Sequence, residues 1–262
     1  MTYTPEYYAD LHRASINSAR QILPIVLDVL APTSVVDVGC GTGPWLGVAI
    51  ELGVEDVRGV DGEGIDVNAL SFPQERFLAR DLREPLHLGR RFDLALSLEV
   101  AEHLPEAAAE VLVQSLVSLA PAVLFSAAIP MQGGVDHVNE QWQSYWAARF
   151  AEHGYRPVDL ARRRVWGDSR VAPYYAQNVL LYSHDSLLTQ SPALTAASAQ
   201  SVAPLDLVHP RILANHTDVT HWSTARLLRT SCAVARILPH ALYRSFERRS
   251  ASTIGRLAKR LM

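Results

Sequence analysis

The chain has 262 residues, 48% hydrophobic and 19% charged, enough to bury a core in one generous domain or one domain with an appendage. Its 24 basic and 27 acidic side chains include one lysine, Lys259, which argues against a Walker-type Gly-Lys loop and a core Schiff-base lysine. Two cysteines, Cys40 and Cys232, are too few for a disulfide framework or a thiolate zinc site, and a reducing compartment fits.

The opening MTYTPEYYADLHR places acidic and aromatic residues where a secretory signal has a basic patch and an apolar run, so no signal peptide is read and a cytoplasmic location is expected. Apolar residues at Ile16, Ile22, Leu23, Val26, Leu27 and Leu30 predict a helix from Pro5 to about Leu30, stopped by Pro32. Short apolar runs then alternate with helical stretches: SVVDV (34–38), a helix from Pro44, DVRGV (56–60), RFLA (76–79), FDLALS (92–97), a helix over about 105–119, and AVLFSA (122–127). This alternation indicates βαβ units and a parallel sheet covered on both faces.

The greasy stretch from Val111 to Ile129 is close to membrane-spanning length, but Gln114, three serines and Pro121 interrupt it, so it reads as a helix followed by a buried strand. A helix over 141–152 ends at Gly154, and YRPVDL and NVLLYS supply two more strands. The Ser-, Ala- and Pro-rich stretch over 185–204 reads as a linker. The expected organisation is a helical cap over 1–33, an α/β body over 34–185, a linker over 186–205 and a basic helical extension over 206–262.

Strand SVVDV runs directly into GCGTG, and Pro44 suits the first turn of the helix that follows. Gly39, Gly41 and Gly43 allow a close ligand approach that a Cβ would block. A dinucleotide fingerprint would place its third glycine at 44, where this chain has proline, which counts against a pyrophosphate ligand. Asp37, just before the loop, would also repel a diphosphate but suits a cationic amino-acid group. Asp61 closes the second strand, where an acid accepts both ribose hydroxyls. Asp81 follows the third strand, placed to meet an adenine amino group.

The pieces DVGCGTG, the acid in GVDG, the RDL turn and FDLALSLEVAEHL, in this order, resemble the class I S-adenosylmethionine-dependent methyltransferases over about residues 34–185. The resemblance implies an α/β Rossmann-like fold with a seven-stranded sheet, helices on both faces and an antiparallel last strand, here NVLLYS. It also implies S-adenosylmethionine as cofactor, held by Asp37, Gly39, Cys40, Gly41, Gly43, Asp61, Gly62, Asp81, Leu82 and Glu99. By the same resemblance Glu99 lies near the methionine end and His103 at the mouth of the substrate pocket.

Base methyltransferases of the family carry an Asn/Asp-Pro-Pro-aromatic motif after the fourth strand, where this chain reads SLEVAEH, so no nucleic-acid partner is expected. The acidic body would also repel a phosphate backbone. The segment IPMQGGVDHVNEQWQSYWAARF (129–150) leaves the fifth strand at the end of the sheet where ligands bind. His137 is the expected catalytic base, since a histidine titrates near neutral pH, with Asp136 or Glu140 orienting its ring. Asn139 could hold a neighbouring hydroxyl. Trp142, Tyr145 and Trp146 read either as acceptor contacts or, more in keeping with an amphipathic helix, as core. No metal site is assigned: a divalent ion on Asp136, His137 and Glu140 is not the favoured reading of so compact a cluster.

The pattern DHVNEQWxSYWAxxF with the later WGDSRVAPYYAQNVLLYS resembles a bacterial subgroup associated with sugar and glycan modification. That resemblance would bring Trp166, Tyr174, Tyr175, Gln177 and Asn178 near the pocket, the alternative being packing around the last strand. The expected reaction is O-methylation of a sugar or similar small polyhydroxylated acceptor, or of an oligosaccharide. The alternatives are a carbon, nitrogen or phenol acceptor, and a non-catalytic module that binds the cofactor.

The near-neutral total conceals a split. Residues 1–223 hold 15 basic and 26 acidic groups, whereas residues 224–262 hold nine basic and one acidic. A basic amphipathic tail of this kind can pack on the body, form a homodimer, or make peripheral contact with the inner membrane surface.

Overall fold

The structure, a computed structural model, describes residues 5–201 and 204–217. Met1–Ile212 form one compact unit. Leu213–Met262 form a second, of which only the helical residues through Thr217 are described. The basic tail, with the membrane and dimer contacts expected of it, lies outside the described residues. Among the described residues no helix is long and apolar enough to cross a membrane.

Helix α1 (Pro5–Leu30) leads into β1 (Ser34–Val38), α2 (Pro44–Glu51), β2 (Asp56–Asp61), β3 (Phe77–Ala79) and β4 (Leu94–Leu98). Then come α3 (Ala109–Leu119), β5 (Ala122–Ser126), α4 (Gln143–Glu152) and β6 (Tyr155–Val158). The described chain finishes with α5 (Arg162–Val165), α6 (Pro173–Asn178), β7 (Leu180–His184), α7 (Asp185–Gln190), α8 (Pro192–Gln200) and α9 (Pro210–Thr217).

The seven strands form one sheet in the order β3-β2-β1-β4-β5-β7-β6. The first five are parallel, and β7 runs antiparallel between β5 and β6. NVLLYS is thus the antiparallel last strand in the chain, although the sheet edge belongs to β6. Pro157 is tolerated in β6 because an edge strand can forgo a ladder donor.

Strands β1, β4 and β5 are buried along their whole length, as continuous apolar runs with helices on both sides should be. Their side chains alternate between two cores. Val35, Leu94, Leu96, Leu124 and Leu181 face a cluster with α1, α2, α7 and α8. Val36, Val38, Ala95, Val123, Phe125 and Tyr182 face a second with α3 and α4.

Two expectations about local structure need correction. The stretch read as a linker over 186–205 forms α7 and α8, whose Leu188 and Leu194 are buried in the first core. Its serines assist this: Ser191 caps α8 by accepting from the Leu194 amide, and Pro192 takes the first turn where a missing N–H costs nothing. The helix expected from position 105 starts at Ala109 after a 3-10 turn, and the one expected from 141 starts at Gln143.

Candidate active site

Because β1 to β5 are parallel, their carboxyl ends share one edge of the sheet. The order reverses between β1 and β4, and a crevice opens outside such a switch point. The predicted cofactor residues lie along this edge.

The glycine loop leaves β1 with Gly39, Gly41 and Gly43 all at positive φ, which L side chains adopt only under strain. A Cβ at Gly39 would meet Val100 at 2.3 Å, and one at Gly43 would meet Phe72 at 2.3 Å. The amides of Gly39 and Cys40 both bond the Val60 carbonyl, at 2.8 and 3.1 Å, tying the loop to the end of β2. Asp61 completes the tie: Oδ2 accepts from the Gly41 amide at 2.7 Å and Oδ1 from the Gly62 amide at 2.6 Å. The carboxylate expected at a ribose therefore also orders the loop, with further lone pairs available to a ligand. His12 of α1 reaches the same loop, its Nδ1 lying 2.9 Å from Thr42 Oγ1.

Asp37 is buried at the end of β1, and burial, then the charge of Asp61, push its carboxyl up to about 7. Cys40 is a buried free thiol whose ionisation burial pushes far up, so it is packing rather than a nucleophile. Asp81 is exposed and forked by Arg83, with Nη2–Oδ2 at 2.6 Å and Nε–Oδ1 at 2.9 Å, and this pairing pulls its carboxyl down to about 2. Leu82 packs at the border of the second core.

Glu99, directly after β4, has a left-handed backbone at φ 56. Its amide donates to the Ser126 carbonyl at 2.9 Å, and its carboxylate accepts from Gln132 Nε2 at 2.9 Å and Asn178 Nδ2 at 3.2 Å. Burial pushes its pKa up, while the bonds from Asn178, Ser126 and Gln132 oppose that rise.

The next turn carries Glu102 and His103. The Glu102 carbonyl accepts the amides of Val138 at 2.8 Å and Asn139 at 3.1 Å, stitching this turn to the loop after β5. The stitch brings His103 against His137, ring centroids 4.8 Å apart and edge to face. His137 Nδ1 lies 3.0 Å from Glu140 Oε1, and Glu140 also accepts the amides of Met131 at 2.8 Å and Gly133 at 2.7 Å. Glu140 thus orients the ring, while Asp136 is exposed. A Cβ at position 134 would meet His137 Nε2 at 2.1 Å, so the glycine leaves that nitrogen room. Burial, and then the neighbouring His137, hold His103 below the usual imidazole range.

Sequence reasoning passed over Glu102. It is 0% exposed with neither carboxylate oxygen hydrogen-bonded, and burial, then the charge of Glu99, push its pKa well above the usual range. The EVAEH spacing displays the acid, but only the tertiary fold shows it to be buried.

Several acceptor candidates take other places. Trp146 is 1% exposed and packs on Phe125 at 5.1 Å, so it belongs to the core, as the inward face of α4 requires. Tyr175 is buried, its hydroxyl 3.1 Å from Ser15 Oγ and 3.4 Å from Trp45 Nε1. Gln177 is fully buried, donating to Gln132 Oε1 at 3.1 Å and accepting the His209 amide at 2.8 Å. Asn139 is buried, its Oδ1 accepting from Gln141 Nε2 at 3.0 Å. Tyr145 packs on Trp146 beneath the Arg149 guanidinium, Trp166 packs on His209, and Tyr174 on Tyr175. Trp142 is exposed at the start of α4.

A family model described as a methyltransferase domain matches residues 10–163, more than half of the chain. No curated protein matches the sequence. Among solved structures, magnesium protoporphyrin IX methyltransferase from Synechocystis PCC 6803 with bound SAM is similar at a TM-score of 0.50 and 19% identity, covering 71% of this chain and 86% of that one. Streptomyces venezuelae DesVI is similar at 0.50 and 14% identity, covering 68% and 95%. At these identities the likeness is one of fold.

Proposed function

From the premise that this chain belongs to the methyltransferase-domain family and uses S-adenosylmethionine, we propose that its acceptor atom is a hydroxyl oxygen of a sugar or similar small polyhydroxylated molecule. The observation that carries this reading is the His103–His137 pair, ring centroids 4.8 Å apart, on the segments that follow β4 and β5. An alcohol is a poor nucleophile until its proton is loosened, and an imidazole at the acceptor end meets that need.

S-adenosylmethionine supplies a methyl group on a positive sulfur, and transfer forms the O–CH3 bond as the C–S bond breaks. The chain's part is mainly positional. Gly39, Gly41 and Gly43 let the loop approach the ligand, and Asp61 keeps that loop in register while offering acceptors to the ribose. Glu99, fixed by Gln132 and Asn178, faces the methionine end. His137, with Nδ1 committed to Glu140, presents Nε2 to the acceptor, and the hydroxyl proton leaves on this side.

His137→Ala should bind S-adenosylmethionine within about twofold of wild type by calorimetry and lose 10²-fold or more in turnover. A panel of sugars, phenols and amines, with the new methyl located by NMR, identifies the atom. Methylation at nitrogen or carbon, or near-normal turnover of the variant, overturns the reading.

A further inference from the structure

We propose that Glu102, His103 and His137 form a binding site for a divalent first-row transition ion, such as Mn2+, at the acceptor end of the active site. One ligand atom from each side chain lies within 4.8 Å of the others, a spacing that small rotamer shifts close onto a single ion. The second, independent observation is Glu102 itself. It has 0% exposure and both its oxygens lack any hydrogen-bond partner. A carboxyl group taken out of water with no hydrogen-bond partner costs stability even when it is neutral, and a cation between it and two imidazoles would give its oxygens a partner and favour the carboxylate form.

The surroundings are those of a built site. The Glu102 carbonyl holds the Val138 and Asn139 amides, so the two ligand-bearing segments are fixed to each other by backbone bonds. Glu140 sits on Nδ1 of His137, in the outer position that fixes the tautomer of a metal-bound histidine and leaves Nε2 with its lone pair. Two imidazoles and one carboxylate suit Mn2+, Fe2+, Co2+ or Zn2+ better than Mg2+, which prefers an all-oxygen shell. Three protein ligands also leave open positions for an acceptor oxygen. An ion there would lower the pKa of the hydroxyl, its proton passing to water, with His137 acting as a ligand rather than as the base itself.

This inference rests on the hydroxyl-acceptor reading for its role, but the ion is measured without any acceptor. Full-length protein is stripped with a chelator and titrated with Mn2+ alone, following free Mn2+ by electron paramagnetic resonance and heat by calorimetry. One Mn2+ per chain is expected, with affinity reduced tenfold or more in both Glu102→Gln and His103→Asn. Calorimetry with S-adenosylmethionine, unchanged within about twofold in both variants, shows that they are folded. No saturable Mn2+ uptake by wild type, or equal uptake by both variants, overturns the site. A failure of the acceptor reading instead shows as a product methylated elsewhere, whatever the ion does.

Discussion

Asn178, the last residue of α6, donates its side-chain amide to Glu99 at 3.2 Å across 79 positions of sequence, and to Gln132 Oε1 at 2.9 Å. The bond joins the segment entering β7 to the turn leaving β4, so the Glu99 carboxylate is held by residues from two other connections, Gln132 after β5 and Asn178 before β7. Removing the donor leaves a partly buried carboxylate short of a partner. Asn178→Ala is expected to cost about 1–3 kcal/mol of stability in urea unfolding, and to weaken S-adenosylmethionine binding several-fold by calorimetry. Unchanged cofactor affinity would detach Glu99 from the cofactor.

Asp61 serves the glycine loop twice, through Gly41 and Gly62. Asp61→Ala orphans both amides and removes the acceptors expected for the ribose. Two losses of about 1–1.5 kcal/mol each predict a dissociation constant for S-adenosylmethionine raised roughly 30- to 150-fold. An affinity equal to wild type would contradict both roles.

Asp37 predicts a pH dependence. Its carboxyl is pushed up to about 7 in the fold by burial and then by Asp61, against an ordinary value near 4. Between those values the folded chain holds a proton that the unfolded chain has released, so folding takes up a proton. The contribution is full below about pH 4 and is lost as pH rises through about 7. Melting temperature without cofactor should fall from pH 5 to pH 8, and Asp37→Asn should flatten that fall. The variant gains at most about 4 kcal/mol at pH 8. Parallel pH profiles for the two proteins would exclude Asp37 as the source.

Leu194 is fully buried in α8, within a stretch whose composition suggests a loose connector. Leu194→Ala should cost about 3 kcal/mol, as a cavity in a packed core does, whereas a residue of a true linker would cost less than about 0.5 kcal/mol. Urea unfolding of the two proteins separates these outcomes.

Much of this protein was determined by sequence alone. Strands β1, β4 and β5 announce themselves as short apolar runs, because a strand covered on both faces has no polar side to show. The loop GCGTG and the acids at 37, 61, 81 and 99 could be placed at one edge, since parallel strands end together. His103 and His137 could be named as candidates from residue chemistry and family pattern. Their meeting was decided only by the tertiary structure, through the Glu102 carbonyl that binds the Val138 and Asn139 amides. The same holds for Trp146 turning into the core, for Glu140 rather than Asp136 reaching His137, and for Ser- and Ala-rich helices covering the sheet. Local periodicity reports which side of one element is apolar. Contacts between residues tens of positions apart, and the burial that leaves Glu102 without a partner, depend on how those elements stack.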